Sequence, residues 1–287
     1  MDYQQPFAKL IAVIDTNETA IRVACELEAT APKLGNVHPG SGFDDCSYDD
    51  FVAAADIVAP VLASDDGNVT LGQRILRAVK QTRTVTNANV NLGIILLIAP
   101  LAMCDSQDSV KRLLASLGPG DGRDVFEAIR LASPGGMKRE EVKESEDVQA
   151  TISGPIDLIV AMKSAAERDR IALQYATDFE DFFKRVLPIV RDAVCKQVAA
   201  TDAVVDAQLR LMAGDPDTLI ARKCGDSIAW QAVSGARVCL SKDTPASRQE
   251  FDTWLRADGN RRNPGTTADL IAAALYWLLR HPAACDR

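Results

Sequence analysis

The segment Leu92-Gly93-Ile94-Ile95-Leu96-Leu97-Ile98-Ala99-Pro100-Leu101-Ala102-Met103 is the most apolar run of the chain. It is too short to span a bilayer, which takes about 20 residues, and Pro100 interrupts it. A helix that is apolar on every side belongs in the interior of a protein. The segment therefore predicts a buried helix, and no membrane partner is expected.

Helical patterns lie on both sides of this buried segment. From about Phe7 to Ala29, apolar residues recur at mixed three- and four-residue spacing, and Thr266 to Leu279 forms a final apolar helix. Leu158 to Tyr175 is predicted as one continuous helix, and Ser47, followed by acidic residues, is a plausible N-cap of another. Aromatic residues make up only 5% of the chain, which favours helices over sheets, although β-branched residues near Val238 leave a strand open there. Without an internal repeat or a break in composition, residues 1–287 are predicted to form a single all-α domain of about eleven helices.

The composition argues against several classes of function. A formal net charge of −8 disfavours binding to nucleic acid or to anionic membranes. The seven cysteines include no C-x-x-C pair and only two histidines are present, so a zinc site is not expected. Scattered cysteines are typical of reduced thiols, and the N-terminus lacks the basic region of a signal peptide. We therefore expect a cytoplasmic protein.

Four polar segments between the helices carry the candidate site residues, and the first runs from Glu26 to Asp50. A lysine in such a segment can bind a phosphate, and aspartates can bind a divalent cation. A polar surface loop that ends in a helix cap explains the same composition, and a lone histidine is more often an ordinary packed side chain than a catalytic base. The candidates here are Lys33, Gly35, Asn36, His38 and Asp45.

The second polar segment is Asn87-Ala88-Asn89-Val90-Asn91-Leu92-Gly93, directly before the buried helix. Asparagine both donates and accepts hydrogen bonds, which suits sugar hydroxyls or a base edge, and a helix N-terminus attracts anions. Ordinary N-capping explains one asparagine but not three. Asn89, Asn91 and Gly93 are therefore candidate substrate-binding residues.

The third polar segment, Asp215-Pro216-Asp217-Thr218, is followed by Arg222-Lys223. The two carboxylates are candidates for a metal site, and the two cations one turn later could meet phosphates. A capped helix start with a local ion pair is the simpler alternative.

The fourth polar segment is Arg261-Arg262-Asn263-Pro264-Gly265-Thr266-Thr267-Ala268-Asp269. Gly265 permits a close approach of the backbone, and Thr266 can cap the following helix while its amide faces an anion. A helix cap again explains the pattern. One polar cap is expected for each helix, but four caps rich in Asn, Asp, Lys and Arg indicate a shared site.

Taken in order, these segments resemble the triphosphoribosyl-dephospho-CoA synthase family. The motifs of that family, P-K-P-G-L-V-D, H-x-D-M-D, T-N-T-H-K-G and P-G-G-S-A-D-L-L-A, correspond here to residues 32–38, 43–47, 88–93 and 264–272. Arg222 matches the arginine of an Arg-Gly-Gly element. The resemblance covers roughly residues 20–280, and the last motif is its most specific part.

The resemblance implies an all-α enzyme that joins the triphosphoribosyl unit of ATP to the 2′-hydroxyl of dephospho-CoA, with loss of adenine. Such a substitution needs a base, stabilisation of an oxocarbenium-like carbon, and cations with Mg²⁺ at the triphosphate. We therefore expect a small-molecule nucleotide or coenzyme precursor as partner, and a homodimer is an open expectation. The expected roles are catalysis by His38, Asp45 and Asp217, phosphate binding by Lys33, Arg222 and Lys223, and Mg²⁺ binding by Asp45, Asp215 and Asp217.

Several positions depart from the family motifs. Asn91 and Leu92 replace a histidine and a lysine, and Phe43 and Ser47 replace a histidine and an aspartate. The sequence resembles the divergent branch found in methanogens and in bacteria with pterin-linked one-carbon metabolism. An enzyme that acts on a pterin- or furan-type coenzyme precursor is thus one alternative, and a non-catalytic helical binding protein is another. The highly charged residues 134–150 fit either a solvated loop or a lid over the substrate.

Overall fold

The computed structural model describes residues 1–86, 88, 90–132 and 156–285. In these ranges the chain is all-helical and contains no β-strand, which confirms the predicted fold class. The fifteen α-helices are α1 (Phe7–Ile11), α2 (Asn17–Thr30), α3 (Tyr48–Ala63), α4 (Leu71–Val85), α5 (Leu92–Ala102), α6 (Gln107–Ala115), α7 (Pro119–Ala132), α8 (Leu158–Ala165), α9 (Arg170–Ala176), α10 (Leu187–Val194), α11 (Ala200–Gly214), α12 (Thr218–Cys224), α13 (Asp226–Lys242), α14 (Pro245–Arg256) and α15 (Gly265–Arg280).

The helix count exceeds the predicted eleven, in part because caps divide segments that were predicted as single helices. The Thr16 side chain accepts a hydrogen bond from the backbone of Thr19, so α2 starts there and is separate from α1. Asp169 caps α9 in the same way and separates it from α8. The open strand alternative near Val238 is wrong, because that residue lies within α13.

Helix α5 lies in the main apolar core, as its sequence predicts. Its residues from Gly93 to Leu101 are all buried, and α15 packs against both α5 and α2. Among the described residues, no single helix is long and apolar enough to cross a membrane, and α5 meets the length and composition criteria only together with α6, across a bend of 103°.

A second, smaller apolar cluster lies between α11, α12, α13 and α14. Leu34 belongs to this cluster, whereas Ala31, three residues earlier, belongs to the main core. The chain therefore crosses from one cluster to the other at residues 32–33. This crossing places the first polar segment against α11 and α14, where Leu34 binds Gln208 and Gly35 binds Asp252.

The expectation that all cysteines are reduced thiols is wrong for two of them. Cys195, at the end of α10, forms a disulfide with Cys285, with the two Cα atoms 5.9 Å apart. The five other cysteines are free, and Cys25 and Cys239 are buried. The bond ties the described C-terminal end of the chain to the main core.

Candidate active site

The four polar segments meet in the folded chain. The third and fourth are joined because Oδ2 of Asp217 accepts hydrogen bonds from both the backbone and the hydroxyl of Thr267, each 2.7 Å long. The second and fourth are in contact because a Cβ added to Gly93 would lie 2.5 Å from Cγ of Asp269. The first segment reaches the loop before α15 through a hydrogen bond from the Asn260 side chain to Asp45. A shared site is therefore geometrically available.

Four carboxylates surround the point where these segments meet, and we refer to Glu28, Asp169, Asp217 and Asp269 as the acidic cluster. Asp269, in the first part of α15, forms no hydrogen bond or salt bridge with any described residue, and it retains partial exposure. Loss of hydration, followed by the charges of Glu28, Asp217 and Asp169, raises the pKa of Asp269 well above its usual value, although Arg222 opposes the shift. Asp269 is therefore a carboxyl that a ligand can reach and that holds its proton at higher pH than an ordinary aspartate.

Asp217 is buried and its oxygens are engaged by protein donors. Oδ1 accepts from the backbone amides of Leu219 and Ile220 and so caps α12, while Oδ2 binds Thr267. Burial raises the pKa of Asp217, because it outweighs the hydrogen bonds that favour the carboxylate. The side chain thus joins the starts of α12 and α15, which positions Asp269.

The three carboxylates expected to hold Mg²⁺ do not fit a shared metal site. Asp215 forms ion pairs with Arg170 and Arg185, Asp217 is saturated by the contacts above, and Asp45 binds Asn260. The described ranges contain no group of three or more His, Cys, Asp or Glu side chains that could hold a metal ion. A Mg²⁺ ion therefore stays a prediction, with no site prepared for it by these residues.

Lys33 does not lie at the surface. Its ammonium is 2.8 Å from Oε1 of Glu28, the two side chains are 1% and 4% exposed, and the ammonium also donates to the backbone carbonyl of Glu28. This ion pair lies where the chain crosses between the two apolar clusters. Lys33 is thus in contact with the acidic cluster through Glu28.

The rest of the first motif packs against α11 and α14. Gly35 has a φ of 71°, which favours glycine, and its amide donates to Oδ1 of Asp252 over 2.7 Å. The backbone oxygen of Asn36 accepts from Arg256. Burial, and then the cationic Arg256 and Lys33, lower the pKa of His38. Gly35, Asn36 and His38 are therefore described best by their contacts with α14, and among the described residues no hydrogen bond or ion pair joins them to Asp269.

The cations of the third segment lie at the end of α12 and face two directions. Nη1 of Arg222 is 3.7 Å from Asp169, whereas Nζ of Lys223 is 3.3 Å from the backbone oxygen of Asn260. Burial lowers the pKa of Lys223, and Asp45 opposes this shift. The neighbouring residues Arg222 and Lys223 thus link the acidic cluster to the Asp45 side of the site.

The start of α15 is tightly packed against α12. Thr266 is buried and its hydroxyl lies 3.2 Å from that of Thr218. A Cβ on Gly265 would come within 2.6 Å of Cδ2 of Leu219, so α15 and α12 approach closely at this point. Pro264 provides no side-chain cap, but the amide of Thr267 donates to Asp217 and the amide of Gly265 donates to the backbone oxygen of Asn263.

A cavity of about 420 Å³ lies beside Asp45, between the first segment and the end of α4. The Thr86 hydroxyl donates to Asp50 on its wall over 2.6 Å. Asn91 is buried at the N-cap of α5 beside Thr82. Asn89, and the predicted lid or loop at residues 134–150, lie outside the described residues. The lining residues are Asp45, Asp50, Arg83, Thr84, Val85, Thr86 and Ala88.

Three members of the acidic cluster were missed as site residues by sequence reasoning. Asp269 lies in the fourth polar segment and Glu28 in the first. The sequence therefore indicates the right segments, but it does not identify these two carboxyls as site residues. Asp169 carried no signal, because its segment was predicted as the middle of a continuous helix. The structure shows that its side chain caps α9 at the edge of the cluster.

Comparisons with known proteins agree with the resemblance seen in the sequence. A model of the ATP:dephospho-CoA triphosphoribosyl transferase family (CitG) matches residues 15–284. A crystal structure from Archaeoglobus fulgidus, named as a proposed triphosphoribosyl-dephospho-CoA synthase, is similar with a TM-score of 0.59 and 25% sequence identity. The match covers 80% of this chain and 97% of that chain. A search of curated proteins gives no significant match.

These findings agree with the all-helical fold and with the order of the four motifs along the chain. The family match extends over nearly the whole chain and includes every residue of the acidic cluster. The chain therefore belongs to the ATP:dephospho-CoA triphosphoribosyl transferase family and is an enzyme of the triphosphoribosyl-dephospho-CoA synthase type, which uses ATP for ribosyl transfer.

Proposed function

We propose that this enzyme transfers the triphosphoribosyl unit of ATP to a hydroxyl of a nucleotide-like coenzyme precursor, with dephospho-CoA as the first candidate, and releases adenine. The observation that carries the proposal is the position of Asp269. This carboxyl has no hydrogen-bond partner among the described residues, is partly accessible, and lies where the polar segments meet.

The reaction breaks the bond between the anomeric carbon and adenine and forms a bond from that carbon to the acceptor oxygen. Adenine leaves with the bonding electrons and needs a proton, and a carboxyl that stays protonated can supply it. We assign this proton transfer to Asp269. The anionic side chains of Glu28 and Asp169 would stabilise positive charge on the anomeric carbon, and the proton from the acceptor hydroxyl would return to the acidic cluster.

The triphosphate needs cations and backbone donors. Arg222 and Lys223 supply two positive charges at the end of α12, and the start of α15 adds the partial positive charge of a 16-residue helix. The distance from Arg222 to Asp169 is 3.7 Å, longer than a hydrogen bond. A phosphate could therefore replace Asp169 as the partner of the Arg222 guanidinium. Arg222 and the start of α15 lie on the Asp269 side, where the ribose would have to be held, whereas Lys223 lies at Asn260 and would meet a more distant phosphate.

The cavity beside Asp45 is the proposed location of the acceptor. It is about 420 Å³ in volume, within the range of small-molecule sites, and Lys223 and Asn260 connect its Asp45 wall to the triphosphate side. The departures at Phe43, Ser47 and Asn91 leave the identity of the acceptor open, and a pterin- or furan-type precursor is the alternative.

A cytoplasmic location and a homodimeric state remain predictions. Disulfides are rare in reducing compartments. The bond between Cys195 and Cys285 therefore counts against the predicted cytoplasmic location.

The test is to mix the protein with Mg-ATP and each acceptor in turn and to measure released adenine by chromatography. We expect adenine with one acceptor, a loss of at least about 100-fold in Asp269→Asn, and no loss in Asp56→Asn, an exposed aspartate on α3. No adenine with dephospho-CoA or with a pterin- or furan-type precursor, together with no ATP binding by calorimetry, would refute the proposal.

A further inference from the structure

The side chain of Arg170, at the start of α9, is mostly buried and poorly satisfied. It is 15% exposed, and among the described residues its ion pair joins Nη2 to Oδ2 of Asp215. This nitrogen is buried and makes no aligned hydrogen bond with any described residue. A guanidinium has five N–H donors, and a buried donor without an acceptor costs free energy. An acceptor supplied by a ligand would remove this cost.

A second guanidinium, that of Arg185, faces the same carboxylate. Its Nε and Nη2 bind the two oxygens of Asp181 over 2.6 and 2.9 Å, in a bidentate pair. Its third nitrogen, Nη1, is 3.4 Å from Oδ2 of Asp215, which is longer than a charge-assisted hydrogen bond. Arg170 and Arg185 thus converge on one oxygen atom, and neither forms a regular hydrogen bond with it.

Asp215 is the most exposed member of this group. Its side chain is 43% exposed and follows the last turn of α11. It does not cap the next helix, because the capping aspartate of α12 is Asp217. An exposed ion pair contributes little to stability. A phosphate carries more charge and three acceptor oxygens, so it is a stronger partner for two guanidiniums than one carboxylate is.

The start of α9, which carries Arg170, is joined to the start of α15 by two hydrogen bonds. The amide of Arg170 donates to the hydroxyl of Thr218 over 3.3 Å, and that hydroxyl donates to Thr266 over 3.2 Å. Thr266 and Asp269 are three residues apart on α15 and therefore lie on the same face of this helix. Arg170 is thus connected to the part of the site where the ribose would be held.

Arg222 lies on the same side of α12. It follows Thr218 by one helical turn, and its guanidinium is 3.7 Å from Asp169, the residue that precedes Arg170. Three guanidiniums, those of Arg222, Arg170 and Arg185, therefore border the region between α9 and α12. A triphosphate extends over several ångströms, so one arginine near the ribose leaves its outer phosphates without partners.

We propose that Arg170 and Arg185 bind the outer phosphates of the triphosphate, and that Asp215 holds their guanidiniums in place until the nucleotide displaces it. This inference rests on the proposed function and extends its triphosphate site beyond Arg222. Asp215, which was expected to bind Mg²⁺, then occupies the position of a phosphate oxygen in the protein without nucleotide.

The test is the binding of inorganic triphosphate and of ATP, measured by calorimetry. Arg170→Gln should weaken the binding of both by about 10-fold or more, because charge-assisted hydrogen bonds are lost. Asp215→Asn should instead strengthen the binding of both by about 2- to 5-fold, because the internal competitor loses its charge. AMP has no outer phosphates, so its affinity should stay unchanged in both variants.

Asp206→Asn is the matched control for Asp215→Asn. Asp206 also belongs to α11 and lies between two cations, with Nζ of Lys196 at 3.3 Å and Nε of Arg210 at 2.8 Å. Neither Asp206→Asn nor Arg210→Gln should change the binding of triphosphate. A folded Asp215→Asn protein that binds triphosphate no more tightly than the wild type would overturn the inference, because a purely structural ion pair predicts that result.

The double variant Arg170→Gln/Asp215→Asn guards against misfolding, because it removes both members of the ion pair. It should fold and should bind triphosphate more weakly than Asp215→Asn alone. Equal affinities of these two variants would show that Arg170 does not contact the phosphates.

Two further comparisons separate this inference from its neighbours. Dephospho-CoA carries a diphosphate, and a gain in its affinity in Asp215→Asn without a gain for ATP would assign the arginines to the acceptor and overturn the inference. Triphosphate binding that responds as expected without adenine release would refute only the proposed reaction. Adenine release with an unchanged KM for ATP in Arg170→Gln would refute only the arginine site.

Discussion

Gly93→Ala should damage catalysis far more than stability. A Cβ at this position would lie 2.5 Å from Cγ of Asp269 and 2.6 Å from Cδ1 of Ile171, closer than real Cβ contacts allow. Alanine is the better helix former by about 1 kcal/mol, whereas overpacking costs about 1–3 kcal/mol. The net loss in the free energy of unfolding should therefore be about 0–2 kcal/mol. The Asp269 carboxyl would have to move by about 1 Å, a displacement that can reduce a rate by about 100-fold.

The assay compares urea unfolding and adenine release for Gly93→Ala and for Gly214→Ala. Gly214 ends α11, and an added Cβ there meets no atom within 4 Å, so its variant should match the wild type in activity. A Gly93→Ala enzyme with wild-type kcat would show that Asp269 does not need its present position. The reasoning about the acidic cluster would then fail.

Three further predictions concern stability. Lys33→Met should lower the free energy of unfolding by about 3–5 kcal/mol in urea titrations, because Glu28 is left buried without its counter-ion, and adding Glu28→Gln should restore most of the loss. Hydrogen bonds from Thr86 and Ser47 lower the pKa of Asp50, so the stability difference between wild type and Asp50→Asn should be present at neutral pH and vanish as the pH falls below the ordinary value of 3.8. Cys195→Ser should lower the free energy of unfolding by about 2–4 kcal/mol under oxidising conditions only, and equal melting temperatures with and without a reductant would show that the disulfide does not form.

The helical character of the chain was predictable because it depends on local signals. The run from Leu92 to Met103 is apolar on every side, and the structure buries it from Gly93 to Leu101. Ser47 was predicted as the N-cap of α3, and its hydroxyl accepts from the amide of Asp50 in a full capping box. Such signals lie within one helical turn, and no knowledge of the tertiary fold is needed to read them.

The division of two predicted helices was harder to foresee. Thr16 and Asp169 are compatible with a helix interior by spacing, but their side chains accept backbone hydrogen bonds and start new helices. The disulfide was missed for a related reason. Cys195 and Cys285 are 90 residues apart, and only the tertiary fold brings their Cα atoms to 5.9 Å.

The convergence of the four polar segments was predictable, but the roles within them were less so. Lys33 was expected at a phosphate, yet its ammonium is 1% exposed and paired with Glu28. Asp217 was expected at a metal, yet backbone amides and Thr267 surround it. Composition shows which side chains a segment contains, whereas the direction of each one depends on helices that are distant in sequence.

Asp269→Asn should stabilise the fold while it abolishes adenine release, and this contrast tests the acidic cluster as a whole. Lys33 compensates Glu28 and Thr267 binds Asp217, but no described residue hydrogen-bonds Asp269. The pKa of Asp269 is raised by folding, so above pH 3.8 the unfolded chain releases a proton that the folded chain holds. The folded state therefore loses about 1.4 kcal/mol for each pH unit between the unfolded and folded pKa values, and the advantage of asparagine should grow as the pH rises. A variant that is less stable than the wild type at every pH would mean that Asp269 serves the fold rather than the reaction.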